Sequence, residues 1–314
     1  MSLQFPRRVL ITGASGYLGQ HLIDFLYATN ASADLFAAYG GLDTFESEFS
    51  SKVAQCIRVD LCSEDSVRTM LGIANPDFVV HLAALSSPIA CEKDPERAKA
   101  INSCRQLVSA ISPSIPFVFL STDQVFDGLA HPFDEQSLCM PVNNYGKSKL
   151  EFEEMLHATL PFAVSLRSSL ILGPSTSGTC RKQSFLQFCD QRLSAAERTE
   201  FFCDEFRDVV AVADVVNTIV WFMNGGARSA PGRYNMGGPG SVTRVDVARS
   251  VARRRGHDEQ MIVAVERSLS SPGGAASPPN LSMRSGKLYT TTGLSFSTLD
   301  EIVEIVFPDT MPSK

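Results

Sequence analysis

At 314 residues, with 44% hydrophobic and 20% charged side chains, the chain suits about two domains, or one α/β domain with a substantial attachment, and is too apolar to be disordered throughout. Its 28 Lys and Arg against 34 Asp and Glu leave a net charge of −6, which argues against a dedicated nucleic-acid binder. No apolar run approaches the roughly 18–20 residues of a membrane span, and the opening residues lack a signal-peptide layout, so a cytoplasmic protein is expected.

The first element is the β-branched run Arg8–Thr12, read as a buried parallel strand. Glycines 13, 16 and 19 follow, and Leu18, Leu22, Ile23 and Leu26 then mark one face of a helix. Further strands are predicted at 34–39, 55–59, 77–82, 116–121 and 162–171, with helices over 63–73, 95–111 and 145–158. Strands alternating with helices imply right-handed crossovers onto one parallel sheet, an α/β, doubly wound, Rossmann-like fold. After about Gly173 the rhythm changes to a polar loop over 174–184, a helix at 185–193, and short pieces near 207–212, 214–224, 232–236, 244–255 and 260–265. The expected organisation is a dinucleotide-binding domain over 1–173 and a smaller α/β substrate or lid domain over 174–314, some segments of which return to the first. The Gly-, Pro- and Ser-rich stretch 268–279 reads as a mobile loop.

Thr12-Gly13-Ala14-Ser15-Gly16-Tyr17-Leu18-Gly19 joins the first strand to the first helix. Gly13 permits a tight turn, Gly16 lets backbone approach a pyrophosphate, and Gly19 lets the helix pack on the strand. The helix N-terminus adds N–H donors and a positive dipole, so Gly13, Ser15, Gly16, Tyr17, Leu18 and Gly19 are assigned to a dinucleotide. The second strand ends Ala38-Tyr39-Gly40-Gly41, with neither an acid for the ribose 2′-hydroxyl of NAD(H) nor an Arg for the 2′-phosphate of NADP(H). Asp34 is early and Asp43 late. The absence of a repelling acid tilts the choice toward NADP(H).

The G-x-x-G-x-x-G spacing resembles the short-chain dehydrogenase/reductase superfamily, and its other marks follow in order: Asp60, the run His81-Leu82-Ala83-Ala84, Asn102, Ser121-Thr122-Asp123 and Tyr145-x-x-x-Lys149. By that resemblance Asp60 bonds the adenine amino group beside Leu61, while Leu82, Ala83 and Ala84 border the cofactor. Asn102 supports the lysine, and Thr122, Tyr145 and Lys149 form the catalytic group. Tyr145 and Lys149 lie four apart and share one helix face. A neighbouring ammonium favours the phenolate, so Lys149 is expected to lower the Tyr145 pKa and prepare it to pass a proton to a carbonyl oxygen.

The block Phe117–Gly128, with Pro132-Phe133-x-Glu135, Leu166-Arg167-Ser168-Ser169 and Pro279-Asn280-Leu281, resembles the dTDP-4-dehydrorhamnose reductases, extended members of that superfamily. The resemblance implies reduction of the 4-keto group of a nucleotide-linked deoxysugar, often by a homodimer. Ser86, Gln124, Arg181 and Lys182 are the substrate candidates. Three departures stand out: Gln124 replaces a Tyr, Pro278 an Arg, and Phe152 a Gly. The same blocks resemble the regulatory β subunit of methionine adenosyltransferase, which implies an alternative role as a dinucleotide-binding partner of that enzyme's catalytic subunit.

Other candidates read as structural. Asp214 is expected to cap a helix, and Arg253-Arg254-Arg255 before Gly256 suits a helix C-terminus. Glu205 and Arg207 either reach substrate or form a surface pair, and His81 reads as a strand-end core residue. None of the eight cysteines forms a Cys-x-x-Cys pair, and no metal site is expected.

Overall fold

A computed structural model of the chain describes residues 5–180, 184–267 and 274–308. Strands β1 (Arg8–Thr12), β2 (Asp34–Tyr39), β3 (Gln55–Arg58), β4 (Phe78–His81), β5 (Phe117–Thr122) and β6 (Ala163–Ser168) alternate with seven helices. These are α1 (Tyr17–Ala28), α2 (Phe45–Phe49), α3 (Glu64–Ala74), α4 (Pro88–Lys93), α5 (Pro95–Asn102), α6 (Arg105–Ala110) and α7 (Asn144–Thr159). Then come β7 (Leu170–Leu172), α8 (Phe185–Ser194), β8 (Thr199–Phe202), β9 (Arg207–Ala211), α9 (Val212–Trp221) and α10 (Ala227–Ser229). The described chain closes with β10 (Gly232–Met236), β11 (Ser241–Val242), α11 (Arg244–Arg255), β12 (Ile262–Val265), α12 (Gly286–Thr292) and α13 (Leu299–Val306).

The large sheet is parallel throughout, in the order β10-β6-β5-β4-β1-β2-β3. Its central strands are continuous apolar runs because helices cover both faces. Val9 and Ile11 face a core with Leu22 and Ile23 of α1, Phe45 of α2 and Val215 and Ile219 of α9. Leu10 faces the opposite core, with Val67 of α3, Leu107 of α6 and Phe152 of α7. Each such side chain contributes roughly 1.5–3 kcal/mol by leaving water. The small lobe is built on the sheet β11-β9-β7 and the pair β12-β8, around Leu186, Val209, Val247 and Ile302.

Three local expectations change. The helix read over 95–111 is two helices: Asn102 and Ser103 turn their side chains onto neighbours, the Ser103 hydroxyl donating to the Ser148 carbonyl at 2.9 Å. The run 162–171 is two strands, β6 in the large sheet and β7 beside β9, with the Ser169 N–H donating to the Met236 carbonyl between them. Asp214 is no cap, since α9 starts at Val212; its carboxylate instead accepts the Ser297 N–H at 2.8 Å. Residues 268–273 of the expected loop lie outside the described residues. Among the described residues, no helix is long and apolar enough to cross a membrane.

Candidate active site

The site assembles where β1, β4 and β5 end. Gly13 has φ +72°, in the left-handed region, and a Cβ there would lie 2.5 Å from the Ala83 backbone nitrogen. Only glycine lets this turn press against the segment that leaves β4. Gly16 is exposed, Gly19 is buried in the first turn of α1, and Ser15 and Tyr17 are half-buried. Helix α1 has no side-chain cap and no acid in its first turn, which leaves its N–H donors available to an anion. An open glycine turn at a donor-rich helix end fits a pyrophosphate. Tyr17 takes no part through its hydroxyl, which donates to the Pro174 carbonyl at 2.8 Å. Gln20 likewise reaches the Thr179 carbonyl, so the segment after β7 is fastened along α1.

The neighbouring strand ends contribute the rest. Asp60 is exposed after β3 and accepts the Cys62 N–H at 2.9 Å, a turn that fixes the carboxylate's direction. Leu61 is buried, while Leu82, Ala83 and Ala84 run half-buried beyond β4 and Ser86 is exposed. His81 is fully buried, its Nδ1 2.6 Å from the Thr12 hydroxyl and its ring stacked on Phe152 at 4.9 Å. Burial pushes it down to about 3, so it is neutral and structural.

Helix α7 delivers the catalytic candidates. Asn143 caps it, accepting the Gly146 N–H at 2.8 Å, and its amide donates to Gln124 Oε1 at 2.9 Å. A Cβ on Gly146 would lie 2.1 Å from the Gln124 carbonyl, so glycine lets the first turn of α7 close on the end of β5. Sequence reasoning did not single out Gly146, although it sits inside the Tyr-x-x-x-Lys segment. Tyr145 opens this turn, and the Thr122 hydroxyl acts on its phenol. Thr122 also donates to Asp123 Oδ1 at 3.2 Å, and the second Asp123 oxygen accepts from the Ser169 hydroxyl at 2.9 Å.

Lys149 is 1% exposed, its ammonium 4.0 Å above the Phe119 ring. Phe152, the departure from glycine, packs against Phe119 at 4.5 Å and against His81, forming an aromatic floor under the lysine. Burial pushes Lys149 down to about 7, opposed by the Glu153 carboxylate. Burial also holds the Tyr145 phenol well above its ordinary value; the Thr122 hydroxyl pulls it back, and Asp123 and Cys91 push it further up. The expected lowering of Tyr145 by Lys149 is therefore reversed, because desolvation dominates at both groups. Asn102 is fully buried: its carboxamide accepts the Leu85 N–H at 2.7 Å and donates to the Ser148 hydroxyl at 3.0 Å, which positions the turn carrying Lys149.

Glu205 and Arg207 form neither a surface pair nor an open contact. They are buried at 2.9 Å, and Arg207 also donates to the Pro278 carbonyl at 2.9 Å. The position that lost an arginine is thus held by one from β9. Arg181 and Lys182 lie outside the described residues. Among the described residues, no group of three or more His, Cys, Asp or Glu side chains could hold a metal.

Against known families, residues 7–309 match the model described as RmlD substrate binding domain. The chain belongs to this family. A relative from Haloferax volcanii named "Probable low-salt glycan biosynthesis reductase Agl14" is 27% identical over 307 residues, covering 95% of this chain and 98% of the relative. The methionine adenosyltransferase 2 subunit beta of Danio rerio is 34% identical over 169 residues, but that match spans only 53% of this chain and 49% of the relative. The dTDP-4-dehydrorhamnose reductase of Bacillus anthracis str. Ames, solved in complex with NADP, has the same fold: TM-score 0.79 at 22% identity, over 98% of this chain and 99% of that one.

Proposed function

We propose that the chain reduces the 4-keto group of a nucleotide-linked deoxysugar, using NADPH or NADH. What supports this reading is Thr122 acting on Tyr145 and a buried Lys149 one turn along the same helix, together with the open glycine turn, in a chain matched over 98% of a relative named a probable reductase. When bound, the reduced nicotinamide supplies the hydride. The protein's own residues hold the carbonyl and its proton. Burial keeps Tyr145 protonated at neutral pH, which is the form able to give a proton to the oxygen as negative charge develops there. Thr122 donates a second hydrogen bond to that oxygen, releasing Asp123 to do so. Lys149 holds the ribose, and Asn102 fixes the turn from which it projects. Gln124 and Ser86 border the sugar pocket.

A second reading follows from the zebrafish relative, which is the more similar in percentage terms over the half it matches. Here the chain binds a dinucleotide and serves as partner to a methionine adenosyltransferase catalytic subunit. One experiment separates the two. Reduced-cofactor consumption is followed against dTDP- and UDP-4-keto-6-deoxyhexoses, with and without that catalytic subunit. Turnover of at least one ketosugar by the chain alone is expected. A stable complex without consumption of any ketosugar overturns the reductase reading in favour of the partner role.

A further inference from the structure

The end of β2 offers neither group that distinguishes the two nicotinamide dinucleotides, since Tyr39 runs directly into Gly40 and Gly41. The register of the sheet supplies one from the adjacent strand. Tyr39 pairs with Arg58, the last residue of β3, so the Arg58 side chain leaves the sheet beside the end of β2. Its Nη2 reaches across to the β2–α2 loop and lies 3.3 Å from Asp43 Oδ1. Both side chains are in water, 67% and 83% exposed, so the pair is weak and readily exchanged for a better partner. The guanidinium charge also reaches the Tyr39 phenol. Glu46 accepts the Tyr39 hydroxyl at 3.2 Å. Around Gly40 nothing lies within 4 Å of where a Cβ would stand, which leaves room for a ribose.

A dinucleotide whose pyrophosphate sits on the glycine turn carries its adenosine ribose to the end of β2. A 2′-phosphate there meets a planar, permanently charged fork that can bond two of its oxygens at once, whereas Asp43 offers the same fork a single long contact. We propose that Arg58 receives the adenosine 2′-phosphate, exchanging Asp43 for it, and makes the chain selective for NADPH. This assignment rests on the dinucleotide reading above and gives its cofactor choice a residue, on the third strand rather than the second.

The test uses binding alone. Wild-type protein and Arg58→Gln are titrated with NADPH and NADH, followed by nicotinamide fluorescence, and with 2′,5′-ADP and 5′-ADP by calorimetry. Wild type is expected to bind each 2′-phosphorylated ligand at least about ten-fold tighter than its partner. Arg58→Gln is expected to bring both ratios close to one, with NADH affinity held within about two-fold. A wild-type preference for NADH, or a ratio that survives Arg58→Gln, overturns the assignment while leaving the dinucleotide site standing. Failure of wild type to bind any of the four ligands removes the dinucleotide reading, and this assignment with it.

Discussion

Tyr145 and Lys149 sit four residues apart on one helix, and burial moves their pKa values in opposite directions. Their chemistry was legible in the sequence as a motif, but their electrostatics were not, because burial is a property of the assembled site. Tyr145→Phe removes only the transferable proton; the expected loss is about 10²–10⁴ in turnover, with dinucleotide affinity within a few-fold by titration. Lys149 titrates near 7 in the fold against 10.5 when free, so between those values the unfolded chain holds a proton the folded one lacks. Stability therefore rises with pH across that window, and the buried charge costs most below it. Lys149→Met is expected to raise the unfolding free energy from denaturant melts at about pH 6, by roughly 1–4 kcal/mol, and to lose that advantage by about pH 10. His81 acts in the same sense, in a lower window. Its folded value of about 3 lies below the free 6.5, so its contribution is complete above about pH 6.5 and is lost on acidification, by about 1.4 kcal/mol per unit. His81→Asn, compared with wild type in denaturant melts between about pH 6.5 and 4, is expected to show the shallower decline.

At the scale of elements, β1, β4 and β5 could be read directly because doubly covered parallel strands are apolar over most of their length. The same property hid the break at Ser169, where one apolar run serves two sheets. Helix α13 carried a readable signal, Thr298 three residues before Glu301, and the structure forms that capping box, although no helix was assigned there. Helix α7 is held on β6 by Glu153 and Arg167, 0% and 3% exposed, with Arg167 donating to both carboxylate oxygens. Neither residue's pairing could be read from spacing, since they belong to different elements. Arg167→Met leaves the buried carboxylate without its bidentate partner, with Arg233 3.4 Å away and half in solvent. The expected cost is about 3–5 kcal/mol in urea unfolding, and Glu153→Leu in the same chain is expected to recover most of it.

At the scale of the molecule, the sheet does not end with the first half of the chain. Strand β10 pairs with β6, and the core facing α1 includes Val215, Ile219, Phe222, Tyr234, Met236 and Leu288. A fragment of residues 1–173 lacks all of these, and circular dichroism with thermal melting is expected to show no cooperative transition for it. Composition and alternation revealed the class of fold and led to the expectation that some later segment returns to the first domain, but which strand returns is a matter of topology. The order of the large sheet also matters during synthesis. Until Gly232–Met236 has left the ribosome, β6 is the outermost strand, and its row of backbone amides and carbonyls has no neighbour. The whole of the small lobe's first sheet strand pairings up to β9 must be translated while that border is bare, so the nascent chain passes through a stage open to pairing with another polypeptide, and a chaperone's shelter is most valuable in that interval.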